Sequence, residues 1–370
     1  MKICHISSVH QWNDVRIFEK ECSSMVDKGH EVHLIMANGT PGEYNGVHLH
    51  KVEPKGKSRV ERMLKTAKAI AKKAVELQPD IIHFHDPEFL VFAKRMAKVA
   101  HVVFDSHEDV PRQILDKHYL PEFSRTRLSK TVEKLEKKAC RKHLSAVVAA
   151  TPHIAKRFAS YGIEVANVNN YPRLASFVQP GSWEDREDSA VYIGGVFRTR
   201  GAVEMVQAAG LADIPLEIAG NYSPLNLRDN LVQVAGWNNV HEHGFVGRKK
   251  VVELLQKAKY GLVLLHPTES YLKSLPIKMF EYMAAGLPVV ASDFPLWREI
   301  IEKHGCGVCV DPNDPEAIAE ALKKLKANDQ LAKEMGERGR AAVESFFTWE
   351  NEAEKLDALY QRIMARNAEG

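Results

Sequence analysis

A chain of 370 residues with 45% hydrophobic and 27% charged content has the size and balance of two soluble globular domains. No run approaches the ~20 apolar residues of a transmembrane helix, and the Met1–Val9 opening has too short an apolar stretch for a signal peptide, so the expected location is cytoplasmic. The net charge of +3 hides an asymmetry: residues 1–170 carry 28 Lys+Arg against 20 Asp+Glu, and residues 171–370 carry 23 against 28, so the first half suits an anionic partner at the inner face of a membrane or is an ordinary uneven surface.

Short β-branched runs alternate with longer helical patterns throughout, the signature of α/β architecture with parallel sheets and crossover helices. In the first half the strand candidates are Lys2–Val9, His30–Met36, Val47–Val52, Asp80–His85, His101–Ser106 and Ala146–Thr151. Between them Val60, Met63, Leu64, Ala67, Ile70, Ala71, Ala74 and Val75 recur at three- and four-residue spacing, an apolar stripe whose simplest use is packing on the sheet. Arg59, Arg62, Lys65, Lys68, Lys72 and Lys73 fall around the other face, and a second basic helix spans Ser129–His143; either could instead lie on anionic lipid. The polar stretch Gln179-Pro180-Gly181-Ser182-Trp183-Glu184-Asp185 separates a first domain, residues 1–175, from a second, residues 185–347. There the strand candidates are Ala190–Ile193, Pro215–Ala219, Val240–Val246, Tyr260–His266, Pro288–Ser292 and Gly307–Asp311, and a helix follows over residues 348–370. Five scattered cysteines argue against a disulfide framework, and the lone Cys306/Cys309 pair reads as buried thiols.

In open α/β sheets ligands bind beyond the carboxyl ends of the strands, so polar residues just after strands are the site candidates. Three such clusters occur in the first domain: His10, Asn13, Asp14 and Arg16; His83, His85, Asp86 and Glu88; Asp105, Ser106, His107, Glu108 and Asp109. Imidazoles and carboxylates can ligate metal, but no H-E-x-x-H or comparable spacing is present, and acid–base, positioning or hydroxyl-binding work suits these residues better. No metal is expected. In the second domain Tyr192–Gly201 carries a strand into the Gly194-Gly195 turn ahead of a helix, where backbone N–H groups with Arg198 or Arg200 can meet phosphate; such turns are as often free of ligand.

The run Ser274-Leu275-Pro276-Ile277-Lys278-Met279-Phe280-Glu281, continuing to Gly286-Leu287-Pro288, is more specific. Pro276 suits the first turn of a helix and Gly286 its stop. The free N–H groups of such a helix would face a diphosphate, and Glu281, one to two turns in, could accept hydrogen bonds from two ribose hydroxyls. A capped helix with an incidental glutamate is the plain alternative.

Taken with Gly29-His30-Glu31-Val32, Asp80–His85, Phe104–Glu108, Thr151-Pro152-His153-Ile154, the Gly194–Gly201 turn, Met279–Ser292 and Trp349 ahead of a final helix, the chain resembles a GT-B fold retaining glycosyltransferase of group 1, also called family 4. The resemblance implies two Rossmann-like domains facing each other across a cleft, with the final helix returning to the first domain. It implies transfer from a nucleoside diphosphate sugar to a carbohydrate or lipid-linked acceptor hydroxyl, with retention and without a required metal. No cofactor is implied, since the donor is a substrate, and nucleic acid is not among the partners. By similarity Glu281 resembles the ribose-binding second glutamate of a paired motif, His107 the histidine that contacts the donor sugar, and Arg200 a lysine set against the diphosphate. His107, Glu108 and Asp14 are then the catalytic candidates. Gly194, Gly195, Arg198, Arg200, Ser274, Leu275, Pro276, Lys278 and Glu281 are the donor-binding ones, and His10, Arg16, His85 and Asp86 face the acceptor.

The sequence departs from the family pattern at three places. The first paired glutamate would fall at position 273, which is Lys273; the arginine that joins the diphosphate-binding lysine is replaced by Gly195; and His10–Phe18 stands where a glycine-rich loop is usual. Lys278 or Arg198 can supply the missing charge. The departures leave two alternatives, a sugar-nucleotide 2-epimerase of the same fold and a catalytically silent nucleotide-sugar binding protein.

Overall fold

The computed structural model describes residues 1–54, 59–115, 121–177 and 180–366. Gln179 of the expected linker, residues 367–370 of the expected final helix, and the side chains of Arg59, Val60, Arg62 and Met63 lie outside the described residues. The chain forms two compact units, Met1–Asn170 with Glu350–Gly370, and Tyr171–Trp349. Among the described residues no helix is long and apolar enough to cross a membrane.

The first unit is built on eight strands: β1 (Lys2–Ile6), β2 (Glu31–Met36), β3 (Gly42–Tyr44), β4 (Val47–Lys51), β5 (Ile81–Phe84), β6 (His101–Ser106), β7 (Ala146–Ala149) and β8 (Val165–Asn167). Their order is β3-β4-β2-β1-β5-β6-β7-β8, parallel except for the β3–β4 hairpin at one edge. Side chains alternate between the sheet's two faces. On one face Cys4, Ile6, Ile82 and Phe84 pack with Ala67, Ile70, Ala71 and Ala74 of the Arg59–Glu76 helix, while Lys65, Lys68 and Lys72 remain exposed. That stripe therefore serves the sheet, although Leu64, counted in it, is 41% exposed. The Trp349–Ala365 helix buries Leu356, Leu359, Tyr360 and Ile363. Its Glu352 carboxylate accepts a hydrogen bond from the Asn169 N–H (2.8 Å).

The second unit holds β9 (Glu187–Ile193), β10 (Leu216–Ala219), β11 (Val240–Gly244), β12 (Ala258–Val263), β13 (Val289–Ser292) and β14 (Gly307–Val310). All run parallel in the order β11-β10-β9-β12-β13-β14, so the sequence of strands reverses direction between β9 and β12. That is the strand order of a dinucleotide-binding fold, whose ligands lie at the carboxyl ends beside the reversal. The first sheet reverses in the same way between β1 and β5.

Candidate functional site

In the second unit the chain leaves β9 through Gly194 (φ 120°) and reaches Gly201 (φ 70°) before the Ala202–Ala212 helix. A β-carbon on Gly201 would come within 2.3 Å of the Leu264 carbonyl oxygen, so the turn admits only glycine. Tyr192 Oη donates to the Gly195 carbonyl (2.8 Å), and the Ile193 N–H donates to Tyr282 Oη (2.9 Å), which fastens the turn to the Ile277–Ala284 helix. Pro276 stands at that helix's N-cap, one place before the position expected for it, and supplies no side-chain cap. The Ile277 and Lys278 N–H groups of the first turn have no acceptor one turn back within the helix, whereas the Met279 N–H donates to the Pro276 carbonyl (3.1 Å). The preceding loop is held by Trp297, whose Nε1–H donates to the Ser274 carbonyl (2.7 Å), by the Ser274 hydroxyl donating to Tyr271 (3.0 Å), and by partly buried Leu275.

Lys278 lies in the first turn of this helix, and its buried ammonium finds no hydrogen-bond acceptor among the described residues. Nζ sits 3.6 Å from the centre of the Tyr192 ring, and a β-carbon on Gly194 would lie 3.3 Å from it. Burial first, and the nearby Arg200 charge second, hold its pKa well below the ordinary lysine value. A desolvated cation whose neighbouring carboxylate, Glu281, is already paired with Arg248 is costly, and an anion at the glycine turn would offset that cost. Glu281, three residues on, is largely buried and pairs with Arg248 (2.5 Å).

Arg200 is half-buried, donates to the Gly195 carbonyl (3.3 Å) and lies over the Phe197 ring, whereas Arg198 is exposed. A β-carbon on Gly195 would meet the Phe197 ring at 2.5 Å, so a side chain there requires Phe197 to move. Lys273 is occupied locally by Glu269 (3.0 Å).

In the first unit the carboxyl ends of β1, β5 and β6 bring together Ser7, Ser8, His10, His85, Asp86, Asp105 and His107. Two partly exposed histidines each rest on a buried carboxylate: His10 Nδ1 on Asp86 (3.0 Å) and His107 Nε2 on Asp105 (2.7 Å), with ring centres 5.6 Å apart. The hydrogen bond His10 makes to the Asp86 carboxylate raises the His10 pKa above its usual value, against the effect of burial. Asp86 also accepts from the Ser8 N–H (2.6 Å) and the Ser7 hydroxyl (2.8 Å). Asp105 is fully buried, yet Arg16, through two 3.0 Å hydrogen bonds, and His107 hold its pKa well below the carboxylate range.

Some first-unit expectations change on this geometry. Arg16 and His85, expected to face an acceptor, are buried and bonded to Asp105, so they position neighbours rather than offer an exposed atom. Asp14, expected to be catalytic, caps the wide π-type helix Val15–Cys22 by accepting the Arg16 and Ile17 N–H groups. Glu108 is exposed. Cys306 and Cys309 are free thiols, buried and half-buried.

The profile of the glycosyl transferases group 1 matches residues 177–342, and that of glycosyltransferase family 4 matches residues 18–169. The chain belongs to the group 1 glycosyltransferases. This transferase is 26% identical to the D-rhamnosyltransferase WbpZ of Pseudomonas aeruginosa over 73% of its own length and 70% of that protein's. It is 24% identical to an MMP α-(1→4)-mannosyltransferase of Mycolicibacterium hassiacum over 42% of its length, which spans 37% of that relative. Among solved structures, the sucrose-phosphate synthase of Thermosynechococcus elongatus superimposes with TM-score 0.76 at 17% identity over 99% of both chains. Anabaena HepE, in complex with UDP, superimposes with TM-score 0.73 at 13% identity over 98% of this chain and 100% of its own. These likenesses establish the GT-B fold.

The residues that sequence reasoning passed over are those that fix others in place. Tyr192, Tyr282 and Trp297 hold the donor-side turn and loop, Arg248 holds Glu281, and His5, Glu21 and Tyr360 sit behind the first-unit histidines. Strand alternation puts His83 and His85 on one face, and only the β1–β5 register brings His5 beside them; Arg248 and Tyr360 approach from 33 and 277 residues away.

Proposed function

We propose that this transferase moves a sugar from a nucleoside diphosphate sugar to an acceptor hydroxyl, with retention at the anomeric carbon, in bacterial glycan synthesis. The observation that carries the reading is the buried Lys278 ammonium, without a hydrogen-bond acceptor among the described residues, beside the Gly194 turn at the strand-order reversal of the second unit. A diphosphate there would meet Lys278, Arg200 and the first-turn N–H groups of the Ile277–Ala284 helix. Glu281 would turn a carboxylate oxygen to the ribose hydroxyls while Arg248 keeps the other. HepE's complex with UDP supports the donor class, and the names of the matched rhamnosyl- and mannosyltransferases support the glycan setting.

The charge that develops is on the departing diphosphate, and preorganised donors around it lower the barrier directly. In a retaining path the acceptor hydroxyl attacks on the face the diphosphate leaves, and a phosphate oxygen takes its proton. No protein nucleophile is then required. His107 and His10 are partly exposed groups of the first unit suited to orienting sugar hydroxyls, and the buried Asp105, Asp86, Arg16 and His85 fix their rings. The Glu122–His143 helix exposes Phe123, Leu128 and Leu135 among Arg127, Lys130, Lys134, Lys137, Lys138 and Arg141, a face suited to an anionic membrane that carries the acceptor.

Transfer and donor hydrolysis measured in Glu281→Ala and His107→Ala variants test the site. The first should lose donor affinity and the second turnover; full activity in the first removes the ribose role. Nuclear magnetic resonance of the product's anomeric proton tests retention. Donor isomerised with no acceptor consumed would mean a 2-epimerase, and tight donor binding without either reaction a silent binding protein. Salt-sensitive binding to vesicles containing anionic lipid, weakened by Phe123→Ser with Lys134→Glu, tests the membrane face; equal binding to neutral vesicles contradicts it.

A further inference from the structure

Behind the two partly exposed histidines, His10 and His107, lies a second, fully buried polar group that the transfer reaction does not use. His5 on β1 and His83 on β5 are direct partners in the parallel register, so their rings lie side by side on one face of the sheet, 4.7 Å apart. Glu21, from the π-type helix, closes over them. Each of the three offers a nitrogen or carboxylate oxygen, and these atoms all lie within 4.8 Å of one another. All three side chains are buried at 0% exposure. Nε2 of His5 and Nε2 of His83 have no hydrogen-bond partner among the described residues, and of the Glu21 oxygens one is held in the Arg16 ion pair (2.9 Å) while the other makes no hydrogen bond among the described residues.

The surrounding hydrogen bonds fix the His5 tautomer, and at His83 they admit the matching one. Asp105, held ionised by Arg16, accepts only, so His107 Nε2 (2.7 Å) donates to it; His85 Nδ1 stands 3.3 Å from both the Asp105 carboxylate and His107 Nε2, which is itself a donor, so it keeps its proton toward the carboxylate. His85 Nε2 is then an acceptor and takes the proton on His5 Nδ1 (3.1 Å), which leaves the His5 Nε2 lone pair free. His83 Nδ1 lies 2.5 Å from Tyr360 Oη, and the tautomer that donates this N–H to the phenol oxygen frees the Nε2 lone pair in the same way. An imidazole whose far nitrogen donates to a fixed oxygen is the arrangement that orients histidine ligands at metal centres. Charge points the same way. Arg16 pairs with both Asp105 and Glu21 (2.9 Å to Glu21), so one buried guanidinium faces two carboxylates.

We propose that His5, His83 and Glu21 form a buried site for a divalent first-row transition metal, zinc first among them. Two neutral imidazoles and one carboxylate are borderline donors of the kind zinc, cobalt and ferrous iron take. Three atoms no more than 4.8 Å apart leave their common centre at most about 2.8 Å from each, against ~2.0–2.2 Å for zinc bonds to nitrogen and oxygen, so each ligand closes inward by under 1 Å. The alternative group, Glu21, His85, Asp105 and His107, is poorer because Asp105 is already saturated by Arg16. Sequence reading set metal aside for want of ligand spacing along the chain; register between β1 and β5 supplies the pairing that spacing hid. The ion would be structural, joining β1, β5 and the π-type helix, with Tyr360 of the final helix as an outer hydrogen-bond partner.

The test is made on the full chain, refolded from denaturant with zinc chloride or with chelator and then desalted. The expected result is one zinc per chain, retained through desalting, with a melting temperature above that of the chelator-refolded protein. Glu21→Gln and His83→Gln should each weaken zinc binding by 100-fold or more and abolish the melting difference. Cobalt(II) refolded into the wild-type chain should give the visible absorption bands of low-symmetry nitrogen and oxygen ligation, a readout that stands if either variant fails to fold. A wild-type chain that retains no stoichiometric zinc and shows no cobalt bands, or folded variants that bind zinc as the wild type does, overturns the proposal. Transfer activity plays no part in the readout, so its outcome is separate from that of the donor-site reading.

Discussion

Asp105 and Lys278 are both buried charges at the carboxyl ends of parallel sheets, and their surroundings differ in kind. Asp105 is answered within its own unit by Arg16, His85 and His107, whereas the Lys278 ammonium faces an aromatic ring and a glycine turn with no acceptor among the described residues. The first arrangement is what holds side chains in place in the resting protein. The second is what a protein keeps when a ligand is to supply the missing charge, since the unpaired ammonium lowers the stability of the unliganded fold.

The largest effect expected from this contrast is on Asp105→Asn. Arg16 would lose its bidentate partner in a fully buried setting, and unfolding of the first unit in urea should show a loss of about 3–5 kcal/mol. A loss near 1 kcal/mol or less would mean the network is not what holds that sheet end together. Lys278→Met should act in the opposite sense. Donor affinity measured by calorimetry falls by about 100-fold, or ~2.7 kcal/mol, while the melting temperature of the unliganded chain rises by a few degrees. A variant that is both less stable and unimpaired in binding would erase the distinction between the two regions.

The pH dependence sharpens the same point. The free-protein pKa of Lys278 is depressed by burial, and a bound diphosphate, as a neighbouring anion, raises it again. Binding therefore takes up a proton in the window between the two values, so donor affinity weakens as pH rises through that window, by up to about tenfold per pH unit, and Lys278→Met removes the slope. A wild-type profile that strengthens with pH runs against this. Arg248→Ala should cost about 1–2 kcal/mol of donor affinity by releasing the Glu281 carboxylate from its fixed position, with turnover at saturation unchanged. The smallest effect is expected at exposed Glu108, where Glu108→Gln should leave stability within about 0.5 kcal/mol by chemical denaturation.

The fold was legible because the inner strands are buried on both faces and read as short β-branched runs; His101–Ser106 matches its observed span, and the other expected strands mostly lose residues at their ends. The three-residue strands Gly42–Tyr44 and Val165–Asn167 were missed, since an edge strand that short leaves no periodicity to detect. On the donor side Gly194, Gly201, Lys278 and Glu281 carried their own signals of turn, charge and helix position, so the sequence pointed at residues that the structure places at one sheet end. The first-unit cluster was legible as a list of polar residues and illegible as an arrangement. Which histidine is exposed and which is buried depends on register and on partners far along the chain, as Arg16 with Asp105 and His83 with Tyr360 illustrate.

The most direct test of the central claim is a calorimetric titration of wild-type and Lys278→Met chains with uridine and guanosine diphosphates. The account predicts saturable binding of at least one of them to the wild type and a roughly 100-fold loss in the variant. Equal affinity in the two chains, or no binding of either nucleotide to the folded wild type, would contradict it.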